Sequence, residues 1–383
     1  MKKQKHVLLV LGWYDYRLHK GIAEYAQEHG WHLSANLARE RVIPWGWQGD
    51  GVLAWLGAGD DLVEFVKSVR RPTVDFSLRR PQLHFARVLQ DHAHAARLVA
   101  AHFQTRGFRN FAFFSDAENW SFDERGHGFV AALKKAGHDC VWLRWHESAA
   151  AARGGRAEWT KRRAWLAAQL KRLPKPLALF AANDHLATDV LESCDAAGLR
   201  VPEQVAIVGA GDYLLAADAM RTPLSSVDIN LEEQGYEGAA LLNRLMRGVR
   251  PPREPLRIPA ARVVTRKSSD ILAVNEPRVA KALRFIRERF RDPIGVDDVA
   301  RAAAMSRRAL HQAFLDHLGR APGEQIRNVR LEHAKKLLAE SDHKIAAIAG
   351  LSGYQSANSF CIAFTEAEGH SPAAFRRSIR HGA

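Results

Sequence analysis

Cysteine is scarce in this chain. Cys140, Cys194 and Cys361 are the only three among 383 residues, lie far apart and show no C-x-x-C spacing. That excludes a disulfide framework and a cysteine-based structural zinc site, and leaves them as small buried hydrophobes. Long apolar runs are also missing, since no stretch approaches the ~20 residues that span a bilayer. The N-terminal "MKKQKHVLLVLGW" has the basic start of a secretion signal, but its apolar run, Val7 to Leu11, is too short and no small-residue cleavage site follows. A buried first strand is expected there, in a cytoplasmic protein with no membrane partner. Catalytic signatures are absent too: despite 18 histidines there is no G-x-S-x-G, H-E-x-x-H or Walker loop. "GAGDY", Gly209 to Tyr213, lacks the third glycine and the following helix of a dinucleotide site. An enzyme is not expected, nor a cofactor or metal. Acidic residues are outnumbered, 42 against 56 Lys and Arg, for a formal charge of +14. Such a balance fits a polyanionic partner without locating it.

What is present begins with an internal repeat. "VDDVARAAAMSRRALHQAFLDHLGRAPGEQIR" starts at Val296, and "IAAIAGLSGYQSANSFCIAFTEAEGHSPAAFR" at Ile345. Ser306, Phe314, Gly319, Pro322 and Arg327 recur at one constant offset as Ser356, Phe364, Gly369, Pro372 and Arg377. Each unit reads as a short helix, a turn and a second amphipathic helix. In the first, Val296, Val299 and Ala300 form one apolar face. Ser306 caps the next helix, whose Ala309, Leu310, Phe314 and Leu318 keep i, i+3/i+4 spacing, and Gly319 ends it. In the second unit Ile345, Ile348, Ala349, Phe360 and Phe364 play these parts. "EQIRNVRLEHAKKLLAES" is expected to be a long helix joining two helix-turn-helix units, and it would hold their recognition helices at the ~34 Å that separates successive major grooves.

From about Pro277 to Arg380 this architecture resembles the AraC-type DNA-binding domain, most specifically in the pattern Ile-x-x-Ile-Ala, Gly-Tyr, Phe-x-x-x-Phe, Gly-x-x-Pro and Phe-Arg of the second unit. The resemblance implies sequence-specific binding of double-stranded DNA. The exposed side of the first recognition helix is expected to carry Arg307, Arg308, His311 and Gln312, and that of the second Gln355, Ser356, Asn358 and Ser359. Arginines can reach phosphates and guanine edges, whereas amides and hydroxyls read adenine edges or bind phosphate without charge. From Ile271 onward there are 18 Lys and Arg against 12 Asp and Glu, so more than half of the excess charge lies upstream.

Upstream, short runs rich in Val, Leu and Phe ("HVLLVLG", "GVLAWLG", "NFAFFS", "LALFAAN", "VAIVGAG") alternate with helical periodicity. That alternation predicts an α/β fold with parallel sheets covered on both faces. Ligands of open parallel sheets bind beyond the carboxyl ends of the strands. The residues found there are Trp13 to Arg17, Asp75 and Ser77, Ser115 to Arg125, Asn183 and Asp184, and Asp212 with Tyr213. Aromatics beside carboxylates, amides and an arginine suit a sugar.

This half resembles the two-lobed LacI/periplasmic sugar-binding family in "GIAEYAQEHGW", "VLQDHAHAARLVAAHFQTRGFRNFAFF", "DERGHGFVAALKKAG", "LFAANDHLATDVLESCDAAGLRVPEQVAIVGAGD" and "PLSSVDIN". The resemblance places Arg125, Asn183 and Asp212 in the ligand crevice, with Trp13, Asp15 and Arg17 after the first strand. Asp184 is expected to cap the following helix. Each residue has a structural alternative: an ion pair for Arg125, a turn for Asn183, a loop cap for Asp212, a core place for Trp13.

A sugar-binding α/β body joined to an AraC-type double unit resembles the xylose operon regulator family. Where that family has Tyr-Asp-Arg, this chain reads "YDYR", so Tyr16 takes the arginine's place with Arg17 adjacent. The expected plan is a sugar-sensing body over residues 1–268, a linker over 269–276 and the DNA-binding domain over 277–383. The implied partners are a pentose effector, D-xylose first, operator DNA, a second copy of the chain and RNA polymerase if it activates. The helix in "DHAHAARLVAAHF" is the candidate dimer surface, the alternative being that it only covers its own sheet. A free sugar-transport component is the alternative, against which the double DNA unit counts.

Overall fold

The computed structural model describes residues 4–35, 42–57, 59–152, 158–213, 221–273 and 276–381. They form two compact units, one made of residues up to 92 together with 229–260, the other of 93–228 and 261–381.

In the first unit β1 (His6–Leu11), β2 (His32–Ser34), β3 (Gly51–Trp55), β4 (Thr73–Asp75), β5 (Ala86–Asp91) and the late strand β11 (Leu256–Pro259) form a sheet in the order β11-β5-β4-β3-β1-β2. All its pairings are parallel. A strand hydrogen-bonded on both sides and covered on both faces must be apolar at every position, and Val7 to Leu11 are all buried. Helix α1 (Tyr16–Glu28) and helix α7 (Leu231–Met246) pack backbone to backbone. A Cβ on Gly21 would lie 1.9 Å from the Glu232 carbonyl oxygen, and one on Gly235 2.1 Å from that of Leu18. Only glycine permits this approach. Helix α2 (Asp60–Val69) buries Val63, Phe65 and Val66 against β1 and β3.

The second unit opens with α3 (His92–Thr105). It continues through β6 (Asn110–Ser115), α4 (Trp120–Lys135), β7 (Cys140–Arg144), α5 (Glu158–Arg172), β8 (Leu177–Ala181), α6 (Asp184–Ala197), β9 (Val205–Ala210), β10 (Ser225–Asp228) and β12 (Arg262–Val264). The sheet order is β12-β10-β9-β8-β6-β7, parallel except for β12, which runs antiparallel to β10. On α3, Ala95, Ala96, Val99, Ala100 and Phe103 are all at most 1% exposed. Its apolar side thus packs within its own unit, while Arg97 is exposed and Leu98 and Ala101 are half-buried on its other side.

The helical part of this unit comprises α8 (Pro277–Arg289), α9 (Val296–Ala302), α10 (Arg307–Leu318), α11 (Pro322–Glu340), α12 (Ile345–Leu351), α13 (Ala357–Glu368) and α14 (Pro372–His381). Ser306 and Ser356 cap α10 and α13 by accepting the backbone N–H of Ala309 and Ser359, as the repeat predicts. Gly319 and Gly369 end these helices with φ of 68° and 79°, a left-handed conformation that only glycine adopts freely. Pro322 and Pro372 then start the next helices. Two separate cores result. Leu310, Phe314 and Leu318 pack with Val299 and Ala300, and α8, which the repeat does not reveal, adds Val279, Ala282, Leu283 and Ile286. Phe360 and Phe364 pack with Ile348, Ala349 and Phe375. Ala309 departs from expectation: it is exposed in the first turn of α10. Val274 and Asn275 of the expected linker, and the side chain of Arg377, lie outside the described residues.

Candidate functional site

Asp15 ends the loop after β1 and starts α1. Its Oδ1 caps the helix at the N–H of Arg17, and Arg17 folds back so that its Nε and Nη2 meet Oδ1 and Oδ2 at 3.0 and 2.9 Å. Planar guanidinium and carboxylate match as a bidentate fork, which holds a half-buried arginine at a strand end without flexible reach. Trp13 is 43% exposed and lies 4.6 Å, ring to ring, from Trp55 at the end of β3. Two indoles at neighbouring strand ends offer an apolar platform with polar groups beside it. Tyr16 points to solvent, 54% exposed. Asp75 and Ser77 do not line the surface: both are buried, and Asp75 Oδ1 accepts from the N–H of Leu56 and of Ser77. Burial raises the Asp75 carboxyl to about 6.

At the carboxyl end of the second sheet the predicted residues meet. Arg125, buried on the first turns of α4, donates through Nη1 to the carbonyl of Ala182, the residue before Asn183. Its burial lowers the guanidinium pKa to about 10. Asn183 Oδ1 accepts from the N–H of Leu186 at 2.8 Å and so caps α6. The expectation that Asp184 would be the cap is corrected. Asp184 is turned inward instead, accepting from Ser226 Oγ at 2.6 Å and from the N–H of Tyr213 at 2.8 Å. Burial is the main cause that raises its pKa. Asp212 stands in a left-handed conformation, φ 49°, with its N–H on Ser226 Oγ and its Oδ1 on Arg266 Nη1 at 2.8 Å. A network of Asp184, Ser226, Asp212 and Arg266 thus ties three strand ends together. Ser226 and Arg266 escaped the sequence reading, because neither follows the carboxyl end of a parallel strand.

On α10 Arg307, Arg308, His311 and Gln312 are all exposed, at the i, i+3/i+4 spacing that makes one face. Arg307 lies 3.5 Å from Asp297, and Gln312 Nε2 donates to Asp316 Oδ1. At the start of α13 Gln355, Ser356, Asn358 and Ser359 are exposed as well. Ser356 Oγ and Ser359 Oγ, however, already serve the cap, the latter donating to the Ser356 carbonyl. Gln355 and Asn358 therefore retain the freer polar tips. By the repeat offset, Gln312 corresponds to Ile362, which is 52% exposed. Ile362 lines a cavity together with Ile294, Val296 and Ile326 of the first helix-turn-helix unit.

Residues 100–269 match the periplasmic binding protein-like domain, and residues 299–378 match a helix-turn-helix domain. The xylose operon regulatory protein of Escherichia coli is 27% identical over 95% of this chain and 94% of its own, and that of Haemophilus influenzae is 29% identical over 76% and 75%. A solved structure of a xylose-binding transcription activator covers 98% of both chains at 26% identity, with a TM-score of 0.60. The chain is a transcription regulator with an AraC-type DNA-binding domain. The regulator's body shares its fold with a CelR–cellobiose complex, at 24% identity over 70% of this chain and a TM-score of 0.52. Relatives of this kind are regulators and not enzymes. Among the described residues no helix of the regulator is long and apolar enough to cross a membrane.

Proposed function

We propose that this regulator senses a neutral aldose, D-xylose first, and binds operator DNA through its two helix-turn-helix units. The observation that carries the reading is the match over 95% of the chain to a protein named xylose operon regulatory protein. Arg125, Asn183 and Asp212 are assigned to the sugar in one unit, and Trp13, Asp15 and Arg17 in the other. Their chemistry supports this: charge-assisted hydrogen bonds suit vicinal hydroxyls, and an indole face suits sugar C–H groups. A different aldose is the second reading, favoured by Tyr16 standing where the family has an arginine.

Arg307, Arg308, His311 and Gln312 enter one major groove and Gln355, Ser356, Asn358 and Ser359 the next. The sensing body occupies residues 1–268, a linker 269–276 and the DNA-binding domain 277–383. The working form is a cytoplasmic homodimer joined through the α/β bodies, which contacts RNA polymerase if it activates. Titration of intrinsic tryptophan fluorescence with pentoses and hexoses tests the sugar, since the exposed Trp13 should report its arrival. Xylose giving no change while another aldose saturates would replace the effector. Failure of the protein to retard any selected duplex would overturn the DNA assignment.

A further inference from the structure

The two helix-turn-helix units of the regulator have separate apolar cores, and the connecting helix α11 changes from one to the other within two residues. Ile326 and Val329 pack with the first core, whereas Leu331, Ala334 and Leu338 belong to the second. Arg330 stands at the changeover. Its Nε donates to the carbonyl of Phe290 at 2.9 Å, and its Nη2 to that of Asp292 at 2.9 Å, with the Ile294 carbonyl 3.5 Å away. These acceptors lie in the turn between α8 and α9, where the last carbonyls of α8 have no intrahelical donor.

The turn of the second unit reaches the same place. Gly353, at φ 79°, is so close that a Cβ there would lie 2.1 Å from the Phe290 carbonyl oxygen and 2.8 Å from Arg330 Nε. Beside it, buried Ser352 shares a 3.3 Å hydrogen bond with His333 Nδ1. The other ring nitrogen of His333 is 3.2 Å from Arg291 Nη2, and its ring lies 4.9 Å from that of Phe290. One helix fixes distance along its axis, but resisting rocking and twisting about it requires a second attachment off that axis. The fork of Arg330, with Gly353 against the same turn, is that attachment.

We propose that Arg330 is a positioning residue which holds the two recognition helices at one separation and orientation, and thereby sets the half-site spacing that the regulator accepts. The inference rests on the DNA reading given above. One inserted base pair moves the second half-site by ~3.4 Å and turns it about the duplex axis, so a stiff reader loses its second unit and a hinged one does not.

The test uses full-length protein and a duplex selected from random sequence by the wild type, with one base pair then inserted or deleted between its half-sites. Two-site binding exceeds one-site binding by roughly 100-fold or more, so the wild type should lose on the order of tenfold or more on either change. Arg330→Ala should bind each isolated half-site as the wild type does, yet lose only about threefold or less on insertion or deletion, with weaker binding to the original duplex. Arg330→Lys, which keeps charge but not the fork, should fall between. Gly353→Ala should flatten the spacing profile by forcing the turn away from Phe290. Thermal melting establishes that each variant is folded. A folded Arg330→Ala with the wild-type spacing profile overturns the proposal. If that variant does not fold, wild-type profiles in both Arg330→Lys and Gly353→Ala overturn it. Absence of any selected duplex for the wild type overturns the DNA reading itself.

Discussion

Adjacent residues of nearly the same shape, an amide and a carboxylic acid, have different tasks in this regulator. Asn183 and Asp184 both follow β8, but the extended backbone of Asn183 places its amide oxygen over the N–H groups of α6, whereas Asp184 points inward to Ser226 and Tyr213. Nothing in the local sequence separates these roles, since both residues are good caps. Asp212 is likewise both candidate sugar ligand and partner of Arg266. Asp212→Ala should weaken sugar binding by ~1–3 kcal/mol, because the sugar hydroxyls lose their acceptor. Titration calorimetry checks it, and an unchanged affinity would remove Asp212 from the site. On the DNA side, Arg308→Ala should cost ~1–3 kcal/mol and relax selectivity at one base position if Arg308 reads a guanine edge. Competition binding against single-base operator variants measures this. A uniform loss across sequences would reassign Arg308 to phosphate.

Single hydrogen bonds decide where elements of the helical domain begin. Ser306→Ala and Ser356→Ala each remove the acceptor for an orphan N–H of a recognition helix and should lower stability by ~1 kcal/mol. Denaturant titration should show this for both. A second consequence follows from the joint around α11. Burial, assisted by Arg291 and Lys336, depresses the His333 imidazole from 6.5 to about 4. Above pH ~6.5 both folded and unfolded chains keep it neutral. Below that the unfolded chain takes a proton that the folded one refuses, so stability falls as pH drops from 6.5 towards 4. Between pH 7.5 and pH 5 the melting temperature of the wild type should fall further than that of His333→Gln. Parallel pH profiles would show that His333 is not the group involved.

For the whole molecule, regulation requires that sugar bind with different affinity when the protein is on and off DNA. Reciprocity then demands that operator shift sugar affinity by the factor by which sugar shifts operator affinity, typically ~5–150-fold. Sugar titrations with and without saturating operator should differ by that factor. Identical affinities would sink equilibrium coupling even with both sites correctly assigned. Two copies engaging one duplex together bind more tightly than one, so sedimentation should show a dimer.

Periodicity and repetition by themselves determined much of this protein. Apolar runs such as Val7 to Leu11 make buried parallel strands because a chain covered on both faces tolerates no polar side chain there. The recurrence of Ser306, Phe314, Gly319 and Pro322 makes two helix-turn-helix units because cap, core, stop and restart are local requirements. Tertiary structure decided what depends on residues distant in sequence. α8 completes the first core, Arg266 closes on Asp212 across 54 positions, and Arg330 reaches back 40 positions to Phe290. It also decided which exposed polar tips remain available, since Ser356 and Ser359 spend their hydroxyls on a cap while Gln355 and Asn358 do not. Spacing along a chain encodes the face a residue occupies, but its partner is set by where a turn sends the chain next, and that is a property of the packed whole.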